Sequence, residues 1–158
     1  MAAIYTLGHS SLALDEFVAL LKWHRIALVV DVRSDPFSRY APHFNKRELE
    51  AGVKQAGLVY RYAGAVLGGK PKVPALLGPR GVPDYDRMAA VPAFAKALDH
   101  LCRLAESQRT VLVCSEGDPA QCHREKLLAR ALRARGVEVR HILGDGSIAP
   151  PPAQGTLL

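Results

Sequence analysis

Thiol, imidazole and carboxylate side chains that can do nucleophilic or proton-transfer chemistry are grouped at a few points of this sequence. Cys114 ends an apolar run, and a cysteine near a helix start and cationic groups has a lowered pKa and acts as a nucleophile. His9 and His123 are candidates for proton transfer, and Glu116 or Asp31 can orient one of them. We therefore predict four catalytic residues. They are His9, Cys114, Glu116 and His123. A small buried cysteine and hydrogen-bonding turn histidines are the alternatives.

A second group of residues has the chemistry to bind an anion. Asp31 and Arg33 are two apart in a strand-like run, so both project to one face, as an anion clamp or as a structural ion pair. Arg124 opens a helix-like segment whose unpaired N–H groups also favour an anion. Its guanidinium should point toward the ligand crevice that we expect at the ends of the strands. The alternative is an ion pair with Asp31 or Glu116. The predicted substrate-binding residues are Ser10, Asp31, Arg33, Ser38, Cys122 and Arg124.

The spacing of the cysteines argues against two familiar kinds of site. A tyrosine-phosphatase loop needs an arginine at a fixed distance after its cysteine, where this chain has Ala120. Zinc prefers thiolate and imidazole ligands, but neighbouring Cys122 and His123 would point about 100° apart on a helix. We predict no metal site, and the residues do not identify a cofactor.

Strand-like and helix-like segments alternate along the chain, which is typical of βαβ units. Apolar runs predict strands at residues 4–7, 27–32, 58–62 and 110–114, and an alternating run at 137–141 predicts an edge strand. Periodic segments predict helices, among them 45–57, opened by a capping box of Asn45 and Glu48, and 121–135. The expected fold is a three-layer, Rossmann-like α/β fold with a mainly parallel sheet of about five strands and helices on both faces.

In such a sheet the ligand lies beyond the carboxyl ends of the strands, where loops and helix starts converge. Polar residues follow three of the predicted strands, at 8–10, 31–34 and 114–116. We therefore expect these loops and the helix start after them to form one crevice. The residues expected to line it are His9, Arg33, Cys114, Glu116, His123 and Arg124.

The length of the chain predicts one α/β domain over residues 1–145, followed by a loosely held tail over 146–158 that contains Pro150 to Pro152. Residues 68–92 are rich in glycine and proline and form a long interruption of the α/β pattern. A lid or binding loop is the functional interpretation of this stretch. A partly disordered surface insertion is the alternative.

Composition and charge indicate the class of partner. Lysine and arginine outnumber aspartate and glutamate by 21 to 15, a net charge of +6, which favours an anionic small molecule or nucleotide and also suits nucleic acid. The absence of a long apolar run argues against a membrane partner, and the start of the chain lacks the features of a secretory signal. With three cysteines, too few for a disulfide framework, the expected location is the cytoplasm.

Seven short motifs together resemble one known family, catalogued as domain of unknown function 488. They are YTLGHS, VVDVRSDPFS, FNKREL, the LGG at 67–69, VLVCSE, CHR and the final HIL. The resemblance covers almost the whole chain and implies a small, cytoplasmic, prokaryotic α/β protein, but no settled reaction. Its motif positions here are His9, Ser10, Asp31, Arg33, Ser38, Cys114, Glu116, Cys122, His123 and Arg124. The chain departs from the family pattern at Leu14, where a helix-capping residue is common.

Three hypotheses for the function follow. The leading one is an enzyme, a hydrolase or transferase, acting on a phosphorylated or nucleotide-like anion. The second is a binding module for a nucleotide or nucleic acid, with Lys126, Arg130 and Arg133 as a basic stripe that extends the contact. The third is a thiol-based redox or metal sensor that uses Cys114 and Cys122.

Overall fold

Five parallel β-strands form the centre of the computed structural model, which describes residues 3–150. The strands are β1 (Ala3–Gly8), β2 (Leu28–Asp31), β3 (Val59–Tyr62), β4 (Thr110–Cys114) and β5 (Glu138–Ile142). Their order across the sheet is β3-β2-β4-β1-β5, and each neighbouring pair is parallel. The prediction of about five mainly parallel strands is confirmed, and β5 lies at an edge as expected.

Helices cover both faces of the sheet. They are α1 (Leu14–Trp23), α2 (Lys46–Gln55), α3 (Gly64–Leu67), α4 (Tyr85–Ala89), α5 (Pro92–Ser107) and α6 (Arg130–Arg133). Buried residues of α1 and α2 pack with Val111 and Val113 on one face, whereas those of α3 to α6 pack with Leu112 and Cys114 on the other. This alternation follows from the period of two in a strand, and it confirms the three-layer architecture. None of these helices combines the length and apolar character needed to span a membrane.

The prediction of one regular helix over residues 121–135 is wrong in detail. The segment consists of a 3-10 turn (Pro119–Gln121), a π-helix (Arg124–Ala129) and α6. The N–H groups of Glu125 and Lys126 both donate to the Cys122 carbonyl, at 3.2 and 3.4 Å. The wider turn allows Arg124 and the run from Leu127 to Ala129 to be buried together, and such π segments are frequent at functional sites.

The capping box predicted at Asn45 and Glu48 is also wrong. Asn45 does precede α2, but its side chain makes no hydrogen bond to the helix. Its Oδ1 atom instead accepts a hydrogen bond from the Ser38 N–H at 2.7 Å. Asn45 therefore serves the loop between β2 and α2, because the same side chain cannot satisfy both donors in this geometry.

The Gly/Pro-rich stretch at 68–92 is built from short helical turns. It contains 3-10 turns at Pro74–Leu76 and Pro79–Gly81 and then α4, whose first turn is capped by the Asp84 carboxylate. The beginning of the predicted tail is held by hydrogen bonds, including Ala149 N–H to the His141 carbonyl at 2.8 Å. This differs from the loose attachment expected there. Residues 151–158 of the predicted tail lie outside the described residues.

Candidate functional site

The loops after β1, β2 and β4 meet at the carboxyl edge of the sheet. The His9 N–H donates to the Cys114 carbonyl, and the Ser10 N–H donates to the Ser115 carbonyl, both at 2.9 Å. Gly8 is required at this junction, because a Cβ atom there would lie 1.6 Å from the Glu116 carbonyl oxygen. The ladder therefore continues past the strand ends and fixes the first residues of each loop.

A cavity of about 610 Å³ opens between these loops and the 68–92 stretch. Its lining residues include five of the predicted site residues, Arg33, Cys114, Glu116, Cys122 and His123. Residues from the Gly/Pro-rich stretch, among them Gly69, Lys70 and Tyr85, form the opposite wall. The long loop therefore contributes to this cavity.

Cys122 is the most strongly activated thiol of the described residues. Its sulfur lies 3.6 Å from His123 Nδ1 and 3.5 Å from the Arg124 N–H nitrogen, which donates to it. A hydrogen bond from the Cys114 thiol, then the His123 ring and the Arg124 amide, lower the Cys122 pKa to about 4 against the opposing effect of burial. A lowered pKa favours the thiolate, which is the reactive form of cysteine.

Cys114 has the opposite character. It lies at the end of β4 and is 2% exposed. Burial, followed by the hydrogen bond to Cys122, raises the Cys114 pKa well above its ordinary value. The sequence prediction named Cys114 as the nucleophile and Cys122 as a binding residue, whereas the geometry favours the reverse assignment. The sequence alone does not distinguish them, because the contacts that lower the pKa come from the turn around Cys122.

His123 is held in one orientation by two neighbours. Its Nε2 atom lies 3.2 Å from the Val32 carbonyl, to which an Nε2–H group donates, leaving Nδ1 toward the Cys122 sulfur. Gly69 packs directly against the ring, since a Cβ atom there would lie 2.6 Å from His123 Cγ. A thiol, an imidazole and a carbonyl that orients the imidazole are thus present together.

Tyr85 is a cavity residue that the sequence interpretation missed. Its hydroxyl pKa is raised by partial burial and by the negative charge of Cys122, which indicates that the two groups are close. Tyr85 lies at the start of α4 within the Gly/Pro-rich stretch. A lone tyrosine in such a stretch carries no sequence signal, so only the fold reveals it.

Asp31 and Arg33 form a buried ion pair. The Arg33 guanidinium donates to both Asp31 oxygens at 2.8 Å and to the Phe44 carbonyl at 2.6 Å. Tyr60 donates its hydroxyl to the same carboxylate at 2.6 Å, and burial together with this bond raises the Tyr60 pKa. Of the two readings open from the sequence, the structural pair accounts for these contacts, although Arg33 also reaches the cavity wall.

His9 lies on the face of the sheet that α1 and α2 cover. Its ring stacks on Phe44 with centroids 4.5 Å apart, and its Nδ1 atom lies 3.0 Å from the Ser10 carbonyl. Burial lowers the His9 pKa, so the ring is neutral at pH 7. His9 is therefore placed apart from the Cys122 cavity, contrary to the expected single crevice, because alternate residues of β1 point to opposite faces.

Arg124 was expected to line the cavity, but its side chain is fully buried and does not reach the cavity wall. Its Nη2 atom donates to the Glu116 and Gly117 carbonyls at 2.7 and 2.8 Å, and its Nη1 atom donates to the Thr6 hydroxyl at 3.1 Å. Neither alternative considered from the sequence is observed, since backbone carbonyls take the place of a carboxylate partner. Arg124 thus shapes the loop after β4 from behind.

A chain of buried polar groups continues from Arg124 to β5. The Thr6 hydroxyl lies 2.5 Å from His141 Nδ1, and His141 Nε2 lies 3.0 Å from a Glu125 carboxylate oxygen. Glu125 also accepts two hydrogen bonds from Arg133, so Arg133 is not a free member of the predicted basic stripe. Thr6, Glu125 and His141 were not predicted as site residues, because each looks like an ordinary core or surface position in sequence.

The remaining predicted residues have local roles. The Ser38 hydroxyl accepts hydrogen bonds from the Tyr40 and Ala41 amides at 3.0 and 3.3 Å. Ser10 adopts a left-handed backbone conformation, with φ of 45°. Glu116 is exposed at the cavity rim. Within residues 3–150, no cluster of three or more metal-binding side chains is present.

Comparisons with known proteins give one family match. The fold and the cavity define a parallel α/β protein with a cysteine–histidine site at the carboxyl edge of its sheet. The model of the family "Domain of unknown function DUF488" matches residues 13–132. Because this match spans more than half of the chain, the protein belongs to that family. No curated protein and no solved structure matches the sequence.

Proposed function

We propose that the protein is an enzyme that uses the Cys122 thiolate as a nucleophile on a phosphorylated or nucleotide-like anion bound in the cavity. The observation that carries this proposal is the position of the Cys122 sulfur, which lies in the cavity wall against His123 Nδ1 and the Arg124 amide. This arrangement is typical of enzymes that form a covalent intermediate. A cytoplasmic location, where thiols stay reduced, suits this chemistry.

The preference for an anion is supported by the groups around the sulfur. Lys70 and Arg33 line the cavity, and the chain carries a net charge of +6. The backbone N–H groups of Ser115, Glu116 and His123, residues of the same wall, have no acceptor within residues 3–150. Backbone N–H groups that lack a protein acceptor can donate to phosphate oxygens.

Two carboxylates narrow the substrate class further. Asp35 and Glu116 also line the cavity, and they would repel a ligand that presents only negative charge. Carboxylates accept hydrogen bonds from hydroxyl and amino groups. A phosphate ester of a sugar or a nucleotide offers both an anionic part and such donors.

In the proposed reaction the sulfur of Cys122 attacks the electrophilic centre of the substrate. The bond to the leaving group breaks, and His123 gives that group the proton it took from the thiol. Water or a second acceptor then displaces the sulfur, which makes the enzyme a hydrolase or a transferase. Tyr85 and Lys70 are placed to contact the bound group.

Protection from alkylation tests this proposal. Under reducing conditions at about pH 6, where ordinary thiols are protonated, iodoacetamide should label Cys122 faster than Cys102, a partly buried cysteine on α5. Nucleoside phosphates or sugar phosphates should slow the labelling of Cys122, whereas the matching nucleosides and sugars should not. The Cys102→Ser variant should behave like the wild type.

Mass spectrometry with the protecting phosphate then identifies the chemistry. A substrate should leave a group on Cys122 in a rapid-quench sample, and this group should be absent from the Cys122→Ser variant. The proposal is overturned if Cys122 reacts no faster than Cys102, or if no phosphate in a broad panel protects it.

A role in nucleic-acid binding is the second candidate, and one loop favours it. Phe37 and Tyr40 are 68% and 96% exposed and stand on either side of exposed Arg39. Ser38 and Asn45 fix the backbone of this loop by the hydrogen bonds described above. Exposed aromatic rings beside arginine are the usual platform for unpaired bases.

Fluorescence anisotropy with a single-stranded oligonucleotide tests this second candidate. Replacing Phe37 and Tyr40 by alanine should weaken binding by about 1 to 3 kcal/mol per stacked base. Trp23→Ala, which removes another exposed aromatic ring on α1, should leave the affinity unchanged. Equal effects of all these substitutions, or no binding at low salt, would exclude the candidate.

A further inference from the structure

Two cysteines with different polar neighbours lie in the wall of the same cavity. Cys114 ends β4, and Cys122 follows the 3-10 turn, so the loop between them brings both side chains into the same apolar cluster and the same cavity lining. Both are free thiols. Because both side chains belong to one apolar cluster and line one cavity, the two sulfurs lie in the same site.

The two sulfurs have complementary surroundings. Cys122 receives the Arg124 N–H and faces His123, and it is reached from the cavity although only 6% exposed. The Cys114 thiol donates to the Glu116 carbonyl at 3.8 Å, and Cys114 is the less exposed of the two, at 2%. Cys122 therefore suits the first reaction with a small reactant, and Cys114 suits the closing of the disulfide.

We propose that Cys122 and Cys114 form a peroxide-oxidisable pair, in which Cys122 reacts with hydrogen peroxide or a small organic hydroperoxide and Cys114 closes a disulfide. The inference shares the Cys122 nucleophile with the proposed function but needs no anionic substrate. It therefore adds a second chemistry to the same thiols.

The oxidation takes place in two steps. The Cys122 thiolate attacks one peroxide oxygen, the O–O bond breaks, and the departing oxygen takes up a proton to leave as water or an alcohol. Cys122 is now a sulfenic acid. The Cys114 sulfur then attacks the Cys122 sulfur, the S–O bond breaks, and the hydroxide leaves as water with the Cys114 proton. The two thiols have together lost two electrons to the peroxide.

Intact-mass spectrometry after treatment with one equivalent of hydrogen peroxide tests this proposal. The wild type should lose the mass of two hydrogen atoms, should recover it after reduction, and should give a peptide that joins residues 114 and 122. The Cys102→Ser variant is the matched control and should give the same disulfide, because Cys102 lies on α5 outside the cavity.

The single variants separate the two roles. Cys114→Ser should stop at the first step, gaining one oxygen on Cys122 that dimedone traps. Cys122→Ser should remain unmodified by the same peroxide dose. Circular dichroism of each variant establishes that it has folded, and the Cys102→Ser protein keeps the test valid if another variant fails to fold.

Three results would overturn the proposal: no disulfide in either the wild type or Cys102→Ser, a disulfide that involves Cys102, or dimedone labelling of Cys114 in place of Cys122. Because the anion-protection experiment is done under reducing conditions, its outcome does not depend on this one. A chain that is protected by phosphates but resists peroxide would retain the proposed function and lose this inference.

Discussion

At the scale of single residues, adjacent positions in the CHR motif have unrelated roles. Cys122 and His123 face the cavity, whereas the next side chain, Arg124, is buried and binds backbone carbonyls. The π-helical turn that begins at Arg124 accompanies this change in side-chain direction. Two residues of this motif therefore line the cavity, and the third supports the loop after β4.

The titration of Cys122 is the first prediction at this scale. Its lowered pKa of about 4 means that the rate of alkylation should stay nearly constant from neutral pH down to about pH 5 and then fall as the thiolate is protonated. Peptide mapping after brief iodoacetamide treatment measures this. Cys102, whose pKa is raised by burial, should react only in alkaline solution. A Cys122 profile that rises with pH like that of Cys102 would contradict the assignment.

Gly69 gives a second prediction for a single residue. An alanine Cβ there would press on the His123 ring, so Gly69→Ala should displace the ring, raise the Cys122 pKa and slow alkylation at acidic pH. The cost in stability should be roughly 1 to 3 kcal/mol, as for other overpacking changes. Gly144→Ala is the control, because its Cβ would meet only one side-chain atom at 4.0 Å. Unchanged Cys122 reactivity in Gly69→Ala would show that His123 does not activate the thiol.

At the scale of elements, the loop after β4 depends on a side chain that comes from the next helical segment. Arg124 satisfies the carbonyls of Glu116 and Gly117 and reaches Thr6 on β1, so it joins β1, the loop and the π-helix. This explains why the polar residues on this loop can point outward to the cavity.

Replacement of Arg124 should therefore act on stability first. Arg124→Ala removes three hydrogen bonds of a fully buried side chain and leaves the Glu116 and Gly117 carbonyls without this donor, which should lower the free energy of unfolding by about 3 kcal/mol. Arg130→Ala, at an exposed position six residues further along, should change it by less than about 0.5 kcal/mol. Urea denaturation measures both. If the two variants are equally stable, the buried contacts of Arg124 contribute little.

The elements also show what sequence patterns can predict. Apolar runs located β1, β2 and β4 to within about one residue, because burial on both faces requires such runs. The helix at 121–135 was predicted as regular because its apolar spacing fits a 3.6-residue period, and no pattern signals the extra residue in a π turn. The split of His9 and Cys122 between two sides of the sheet depends on strand order, which local sequence does not contain.

At the scale of the whole molecule, two buried histidines, His9 and His141, lie in different layers of the fold. The Thr6, His141 and Glu125 chain runs between β1, β5 and the π-helix, and His9 lies in the opposite layer. Both histidines have a pKa lowered mainly by burial. Folding therefore favours their neutral form, while in the unfolded chain they take up protons at about pH 6.5.

Acid should consequently destabilise the protein. Since the pKa of each histidine is lower in the folded state than in the unfolded state, their contribution to stability is complete above about pH 6.5 and is lost as pH falls through the folded values. The lowered pKa of Glu125 acts in the same direction at more acidic pH. Urea denaturation between about pH 7.5 and 5 should show this decline. His141→Gln should flatten it, whereas replacing exposed His100 should not.

The strand order has a consequence for how the chain acquires its structure during synthesis. Within residues 3–150, β1 pairs only with β4 and β5, so during synthesis this strand has no sheet partner until residues beyond 110 have followed it. Ile4 and Leu7, both fully buried in the finished fold, must wait uncovered through that interval. Such distant pairing makes folding slow and exposes the nascent chain to aggregation. Fragments that stop before β4 should therefore need a chaperone to remain in solution.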